Sequence, residues 1–301
     1  MRNKLIYLCL AISNILLLIN YAFKDAFFLS RLVSYFLDYF LLVTLFLSIA
    51  AIVFIGKRAM LFGLLPGALF YSVVINIKQE EGKLHSLKGL PAFSVMTHSV
   101  MGRNNNYQPI QTIIIEKQPD ILFLQEVTNI NLLLTNNIQA LYPFHESRLE
   151  SGLLILSKYP LQREANFSNL LSVIADISGY KIRLSNVHSI KSISNYDRYQ
   201  QYVRGLSEHF AVNSGPAIIA GDFNMTQYNE YYREMSNSYI DLCRFCKPTF
   251  PAPGRRIGSI YPVLRIDYIF TNIAGCKYNA ETIIYDTTSD HYPVFANFCE
   301  G

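Results

Sequence analysis

Five apolar runs in the last two thirds of this chain each end in a short polar block, and their order constrains the fold more than any other feature. The blocks read Gln125-Glu126-Val127, Asn186-Val187-His188, Gly221-Asp222-Phe223-Asn224, Arg265-Ile266-Asp267-Tyr268 and Ser289-Asp290-His291. Each follows or ends a stretch of β-branched and aliphatic residues, so each sits where a strand stops and a loop begins. Strand ends carrying Glu, His, Asp, Asn, Asp and Asp-His can converge on one rim of a sheet sandwich. Carboxylates with carboxamides suit a hard cation such as Mg²⁺, which prefers oxygen ligands. Two histidines beside them supply the proton chemistry that phosphate-ester cleavage needs.

The segments between the blocks alternate in type. Residues 93–97, 121–124, 152–157, 216–220, 266–270 and 292–298 read as strands, and 173–177 with 182–187 as a hairpin. Residues 110–117 read as a helix that stops before Pro119, and 196–210 as a second. Many strands with few helices fit two stacked sheets flanked by helices.

The N-terminal part obeys a different pattern. The chain is 51% hydrophobic with a mean hydropathy of +0.19, and the excess lies in residues 5–23, 32–55 and 59–77. Each is about long enough to cross a ~30 Å hydrocarbon core, and none has a polar face for water. Three transmembrane helices are expected in residues 1–77, then a polar linker over 78–91 and a folded domain over 92–301. A signal peptide would account only for the first segment, and no small-residue cleavage site follows it. Asn14 and Asn20 weaken that segment. Asp38 lies seven residues past Arg31, ~10 Å along a continuous helix, and reads as an interfacial Asp paired with a neighbour.

Charge is unevenly placed. Residues 1–88 hold nine of the 26 Lys/Arg and four of the 22 Asp/Glu, which leaves 17 and 18 in residues 89–301, a formal −1. A near-neutral domain is not built for tight nonspecific binding of a polyphosphate backbone. The positive-inside rule separates the two sides poorly; the Gly56-Lys57-Arg58 turn, as the densest positive loop, is placed in the cytoplasm, which puts the C-terminal domain on the extracytoplasmic side. Cys243, Cys246, Cys276 and Cys299 form an even set there, open to disulfides or to buried thiols. No second Cys-x-x-Cys completes a zinc site.

Together the five blocks, ending in Ser-Asp-His-Tyr-Pro-Val, resemble the endonuclease/exonuclease/phosphatase superfamily, which includes deoxyribonuclease I, apurinic endonucleases, neutral sphingomyelinases and inositol polyphosphate 5-phosphatases. The resemblance covers roughly residues 93–298. It implies an α/β fold, a four-layer α/β/β/α sandwich, here preceded by the three transmembrane helices. It further implies Mg²⁺, with Mn²⁺ as a substitute, held by Glu126 with Asp290 nearby. His291 would touch the scissile phosphate and His188 a phosphoryl oxygen or the leaving group. Asp222 would be the base or orienter of the attacking water, Asn224 a donor to the phosphate, and Asp267 the support of a catalytic histidine. Arg198 matches a common family position and reads as a helix-face residue.

One departure matters. The family's first block ends a strand with Thr-x-Asn, whereas this chain has Thr97-His98-Ser99. Ser99 thus stands at a metal-side position with a shorter, weaker ligand, and Arg103-Asn104 follow in the same loop. His98 faces the other side of the strand. The expected protein is a membrane-anchored phosphoric ester hydrolase acting on a phosphodiester or phosphomonoester, with lipid headgroup, nucleic acid and soluble phosphoester all open. Its partners would be that substrate and the bilayer, with no protein partner inferred. The alternative, carried by Ser99, is a catalytically weak scaffold or binding protein that keeps the fold.

Overall fold

A computed structural model describes residues 2–56, 66–69, 84–103, 105–164, 168–213, 215–252, 261–275 and 277–299. The chain divides into two compact units, Met1–Glu80 with Met225–Glu234, and Glu81–Asn224 with Met235–Gly301.

In the first unit the apolar sequence forms α1 (Arg2–Phe23), α2 (Phe28–Tyr35) and α3 (Leu37–Ile55). Lys4–Phe23 and Leu37–Phe54 are each long and apolar enough to cross a bilayer, with mean hydropathies of 2.0 and 2.3. Several polar groups in these helices find partners within the unit. Ser13 and Thr44 join α1 to α3 through their hydroxyls, and Asn20 Nδ2 donates to Ser30 O at 2.9 Å and Ser34 Oγ at 2.7 Å.

One expectation needs correction here. Residues 32–55 are not a single span: the chain breaks at Phe36, and α2 is only eight residues long. Asp38 therefore falls in the first turn of α3 rather than deep within a helix, and its carboxylate accepts from Tyr228 Oη. The described residues thus show two membrane-length helices; the expected third, 59–77, lies outside them apart from 66–69.

Among its described residues the second unit is built from two six-stranded sheets and one short two-stranded pair. In chain order its strands are β1 (His85–Ser86), β2 (Phe93–Ser99), β3 (Ile121–Gln125), β4 (Phe144–Arg148), β5 (Leu153–Ser157), β6 (Leu161–Arg163), β7 (Leu170–Ile177), β8 (Tyr180–His188), β9 (Ala217–Asp222), β10 (Ile240–Asp241), β11 (Asp267–Thr271), β12 (Ile273–Ala274), β13 (Tyr278–Thr282) and β14 (Val294–Phe298). The helices between them include α4 (Gln108–Lys117), α5 (Ile130–Leu133), α6 (Asn136–Leu141) and α7 (Tyr196–Val212). One sheet runs β13-β14-β2-β3-β5-β4, the other β10-β11-β9-β8-β7-β6, and β1 pairs with β12.

Side-chain alternation explains the layers. Along β3 all five residues are buried, because Ile121 and Phe123 face the other sheet while Leu122 and Leu124 face the helices. The inter-sheet core joins Val95, Phe123 and Ile155 to Val173, Leu184 and Ile218. The outer face of the first sheet packs Met96, Leu122 and Leu154 against Ile110, Ile114 and Ile138 of α4 and α6. On the second sheet α7 buries Tyr199, Tyr202, Leu206 and Phe210, with Tyr202 Oη donating to Asn169 O at 2.7 Å. The result is an α/β/β/α arrangement with a largely apolar core between the sheets.

Candidate active site

Register brings the polar strand ends together. β8 pairs parallel with β9 so that His188 lies opposite Asp222, and β11 pairs antiparallel with β9 so that Asp267 lies opposite the same Asp222. Residues directly opposite share a face, so one row across the second sheet carries His, Asp and Asp. A slip of one residue in either pairing would turn a member away. The strand spacing is held at Gly221, which has φ +148°; a Cβ there would stand 1.9 Å from Val187 O. Only glycine fits.

Glu126 and His291 reach the row from the other sheet. Glu126 follows β3 in a left-handed turn at φ +60°. Its Oε2 accepts the Gly102 amide at 2.6 Å, which leaves Oε1 3.6 Å from His188 Nε2. His188 Nε2 is 3.9 Å from Asp222 Oδ2, and His291 Nε2 is 3.8 Å from the same oxygen. These separations are wider than hydrogen bonds. Two groups, Glu126-His188-Asp222 and Asp222-Asp267-His291, each place their ligand atoms within 4.8 Å of one another.

Hydrogen bonds orient the members. Asp267 Oδ2 accepts from Thr249 Oγ1 at 2.5 Å and pairs with His291 Nδ1 at 2.9 Å. Asp222 Oδ1 accepts the Asn224 amide at 2.9 Å, and Asn224 Nδ2 donates to Ser189 O at 2.9 Å and Asp222 Oδ2 at 3.2 Å. Asn224 adopts φ +47°, a conformation Asn tolerates better than most residues. Both Nδ2 hydrogens thus have protein acceptors, and Asn224 orients Asp222 directly.

The electrostatics follow from burial and crowding. Desolvation is the main reason the Asp222 carboxyl is pushed up to about 7, with the Asp267 and Glu126 carboxylates adding to the rise against the opposing pull of His291. Burial disfavours the charged form of His291, but Asp267 and Asp222 outweigh it and raise the imidazole to about 10. His188 moves the other way: desolvation lowers it, and the Glu126 carboxylate offsets this only in part. The row therefore pairs an imidazolium, held by Asp267, with a neutral imidazole beside Glu126.

The donor set fits a divalent cation. Three carboxylates crowd one rim, and the buried Asp267 Oδ1 has no hydrogen-bond partner among the described residues. A hard cation would offset both the desolvation and the carboxylate repulsion that raise the Asp222 carboxyl. Two of the expected metal-side residues stand apart from both groups. The Asp290 side chain is half-buried, while its carbonyl accepts the Ala252 amide at 2.7 Å. Ser99 lies opposite Gln125; its buried Oγ has no partner among the described residues, and its carbonyl accepts from Ser289 Oγ at 2.6 Å. Asn104 lies outside the described residues, and Arg198 is exposed on α7.

Sequence reasoning missed several supports. Gln125 and Asn186, each next to a site residue or two before it, bridge the sheets: Gln125 Nε2 donates to Asn186 Oδ1 at 2.7 Å and Thr97 Oγ1 at 3.1 Å. Asn186 Nδ2 donates to Leu124 O at 2.9 Å and Leu154 O at 3.0 Å. Their place in the blocks was the available signal. Arg265, in the block before Asp267, forms a buried ion pair with Asp241 at 2.7 Å and lies 4.5 Å from the Tyr268 ring. Thr249, and Gly102 as amide donor, carried no signal, because their roles arise from loops that return to the rim. His98 Nε2 meets His291 O at 3.1 Å, a support given by the sheet pairing of β2 and β14.

Comparison with known proteins agrees with this geometry. The profile of the Endonuclease/Exonuclease/phosphatase family matches residues 96–291. The UPF0294 protein plu0699 of Photorhabdus laumondii subsp. laumondii is 28% identical over 204 residues, 62% of this chain and 73% of that protein. Truncated Caenorhabditis elegans TDP2 superposes with a TM-score of 0.52 at 20% identity, over 69% of this chain and 98% of that one. A Staphylococcus aureus beta toxin mutant with bound magnesium ions gives 0.55 at 15% identity, over 70% and 100%. The structural likenesses show a shared fold, and the profile spans every block from Glu126 to His291: the chain belongs to the endonuclease/exonuclease/phosphatase family.

Proposed function

We propose that this protein is a membrane-anchored, divalent-cation-dependent phosphoric ester hydrolase. The observation that carries the reading is the rim itself, where Glu126, His188, Asp222, Asp267 and His291 form two triads sharing Asp222. Glu126 and Asp222 are the carboxylates that would hold Mg²⁺, or Mn²⁺ in its place. Such an ion, when bound, neutralises charge on phosphoryl oxygens. Asp222, oriented by the Asn224 amide and side chain, accepts the proton of the attacking water as the water oxygen bonds to phosphorus and the ester P–O bond breaks. His291, charged and held by Asp267, donates from Nε2 to a phosphoryl oxygen. His188, neutral beside Glu126, serves a second oxygen or the leaving group. Asp290 is proposed as an outer carboxylate.

The substrate is proposed to be a phosphodiester or phosphomonoester presented at a membrane surface. Two membrane-length helices and a near-neutral catalytic segment favour this over a long nucleic acid. The catalytic unit is assigned to the extracytoplasmic side. The Cys243–Cys246 disulfide and the disulfide-bonded Cys299 support that side, because such bonds persist in oxidising compartments. The competing reading, a scaffold without turnover, rests on Ser99 in place of the expected Asn, its hydroxyl without a hydrogen-bond partner among the described residues.

A panel of phosphodiesters and phosphomonoesters with Mg²⁺, assayed with and without chelator, tests the proposal. Chelator-sensitive turnover is expected. Glu126→Gln should lower it by about 10²-fold or more, since it removes the charge at unchanged size. Chelator-resistant turnover, or a fully active Glu126→Gln, would remove the metal from the reaction. Failure on every ester would favour the scaffold.

A further inference from the structure

The segment that follows the catalytic turn is held by the helical unit. Met225–Glu234 begins one residue after Asn224 yet groups with Met1–Glu80. It contacts Asp25, in the turn between α1 and α2. The Asp25 carboxylate is 3% exposed and accepts the Glu230 amide at 2.7 Å and Asn229 Nδ2 at 3.1 and 3.2 Å. Its carbonyl accepts from Arg31 Nη1 at 3.1 Å, and Arg31 is itself 6% exposed. Nearby, Thr226 Oγ1 donates to Ser34 O at 3.2 Å, and Tyr228 Oη donates to Asp38. Within the segment Asn229 Oδ1 accepts the Thr226 amide at 2.7 Å, which closes the loop on itself. Lys24 and Glu230 pair at 3.7 Å, both exposed, and such a pair adds little.

A buried carboxylate beside a membrane-length helix is costly unless donors surround it. Here named donors come from residues 229 and 230 of the same chain that carries Asp222 and Asn224. A plain anchor needs no such contact, since apolar length alone holds a helix in a bilayer. The contact is therefore an unexplained cost for an anchor and an explicable one for a positioning device.

We propose that Asp25 is a positioning residue for the catalytic turn. By fixing residues 226–230 it fixes the chain leaving Asn224, whose left-handed backbone and side-chain amide orient Asp222. The proposal rests on the reading of Asp222 as the base.

The test uses the full chain in bilayers. Asp25→Ala should lower kcat on the order of tenfold, the scale of a lost charge-assisted hydrogen bond, while KM changes little. Asp25→Asn keeps an acceptor for the Glu230 amide and should recover part of that loss. Amide exchange at residues 225–230 should accelerate in Asp25→Ala while β9 keeps its protection. Asn229→Ala tests the same link from the other side should Asp25→Ala fail to fold, and it should show the same kcat loss and the same local acceleration. Wild-type kcat in these variants, an effect on KM alone, or unchanged exchange at 225–230 would overturn the proposal. No turnover by the wild type would defeat the functional reading, and with it the catalytic half of this one; the exchange data would still decide whether Asp25 holds the segment.

Discussion

At the scale of single residues, two histidines 193 positions apart in sequence meet across one hydrogen bond. His98, fully buried, donates from Nε2 to the His291 carbonyl, and desolvation lowers its pKa from 6.5 to about 4. Its neutral form is thus the one the fold prefers. Its contribution to stability is present above about pH 6.5 and is lost as pH falls toward about 4. Melting temperature in wild type should drop over that window, and His98→Gln, which cannot charge, should flatten the drop; parallel wild-type and variant curves would show that His98 is not its source. Ser99 tests a different residue-scale point. Its buried hydroxyl has no hydrogen-bond partner among the described residues. Ser99→Asn should tighten the metal dependence of activity or leave it unchanged, because a carboxamide oxygen is the better hard ligand. A large loss of metal affinity would show that the loop is rebuilt around serine.

Among the elements, register and one polar bridge decide the site. β8, β9 and β11 bring His188, Asp222 and Asp267 into a row, while Gln125 and Asn186 tie the ends of β3 and β8 across the two sheets. Asn186→Ala would leave Gln125 Nε2 and the carbonyls of Leu124 and Leu154 short of a partner in an apolar interior. A loss of about 2–3 kcal/mol is expected for such unmet groups. That is a fall of roughly 5–10 °C in melting temperature for a domain of this size. Calorimetry decides between this and a neutral outcome. Activity should fall further than stability explains at a temperature where the variant stays folded, because Glu126 is next to Gln125 and His188 is two residues past Asn186.

Over the whole molecule, the helical unit and the sandwich differ in what holds them. The sandwich is closed by an apolar centre between its sheets and by helices on both outer faces. The helices leave large apolar side chains exposed, among them Phe46, Val53 and Leu42, which water would penalise and lipid would not. The full chain should therefore stay with membranes through high-salt and carbonate washes and leave only with detergent. Release by carbonate would reduce the apolar helices to a peripheral or misassigned role.

The sequence by itself carried the strand ends, the family resemblance, the apolar N-terminal part and the identities of Glu126, His188, Asp222, Asp267 and His291. It could do so because strand-ending polar residues after β-rich runs are local patterns, and local patterns survive in one dimension. The break at Phe36, the row that aligns His188 with Asp222 and Asp267, the bridge through Gln125 and Asn186, and the Asp25 contact with residues 229 and 230 were decided by the tertiary structure. Each joins residues tens to hundreds of positions apart or depends on one backbone angle. Such pairings are chosen by which arrangement buries the most apolar surface with every polar group met, and no short window of sequence records that choice.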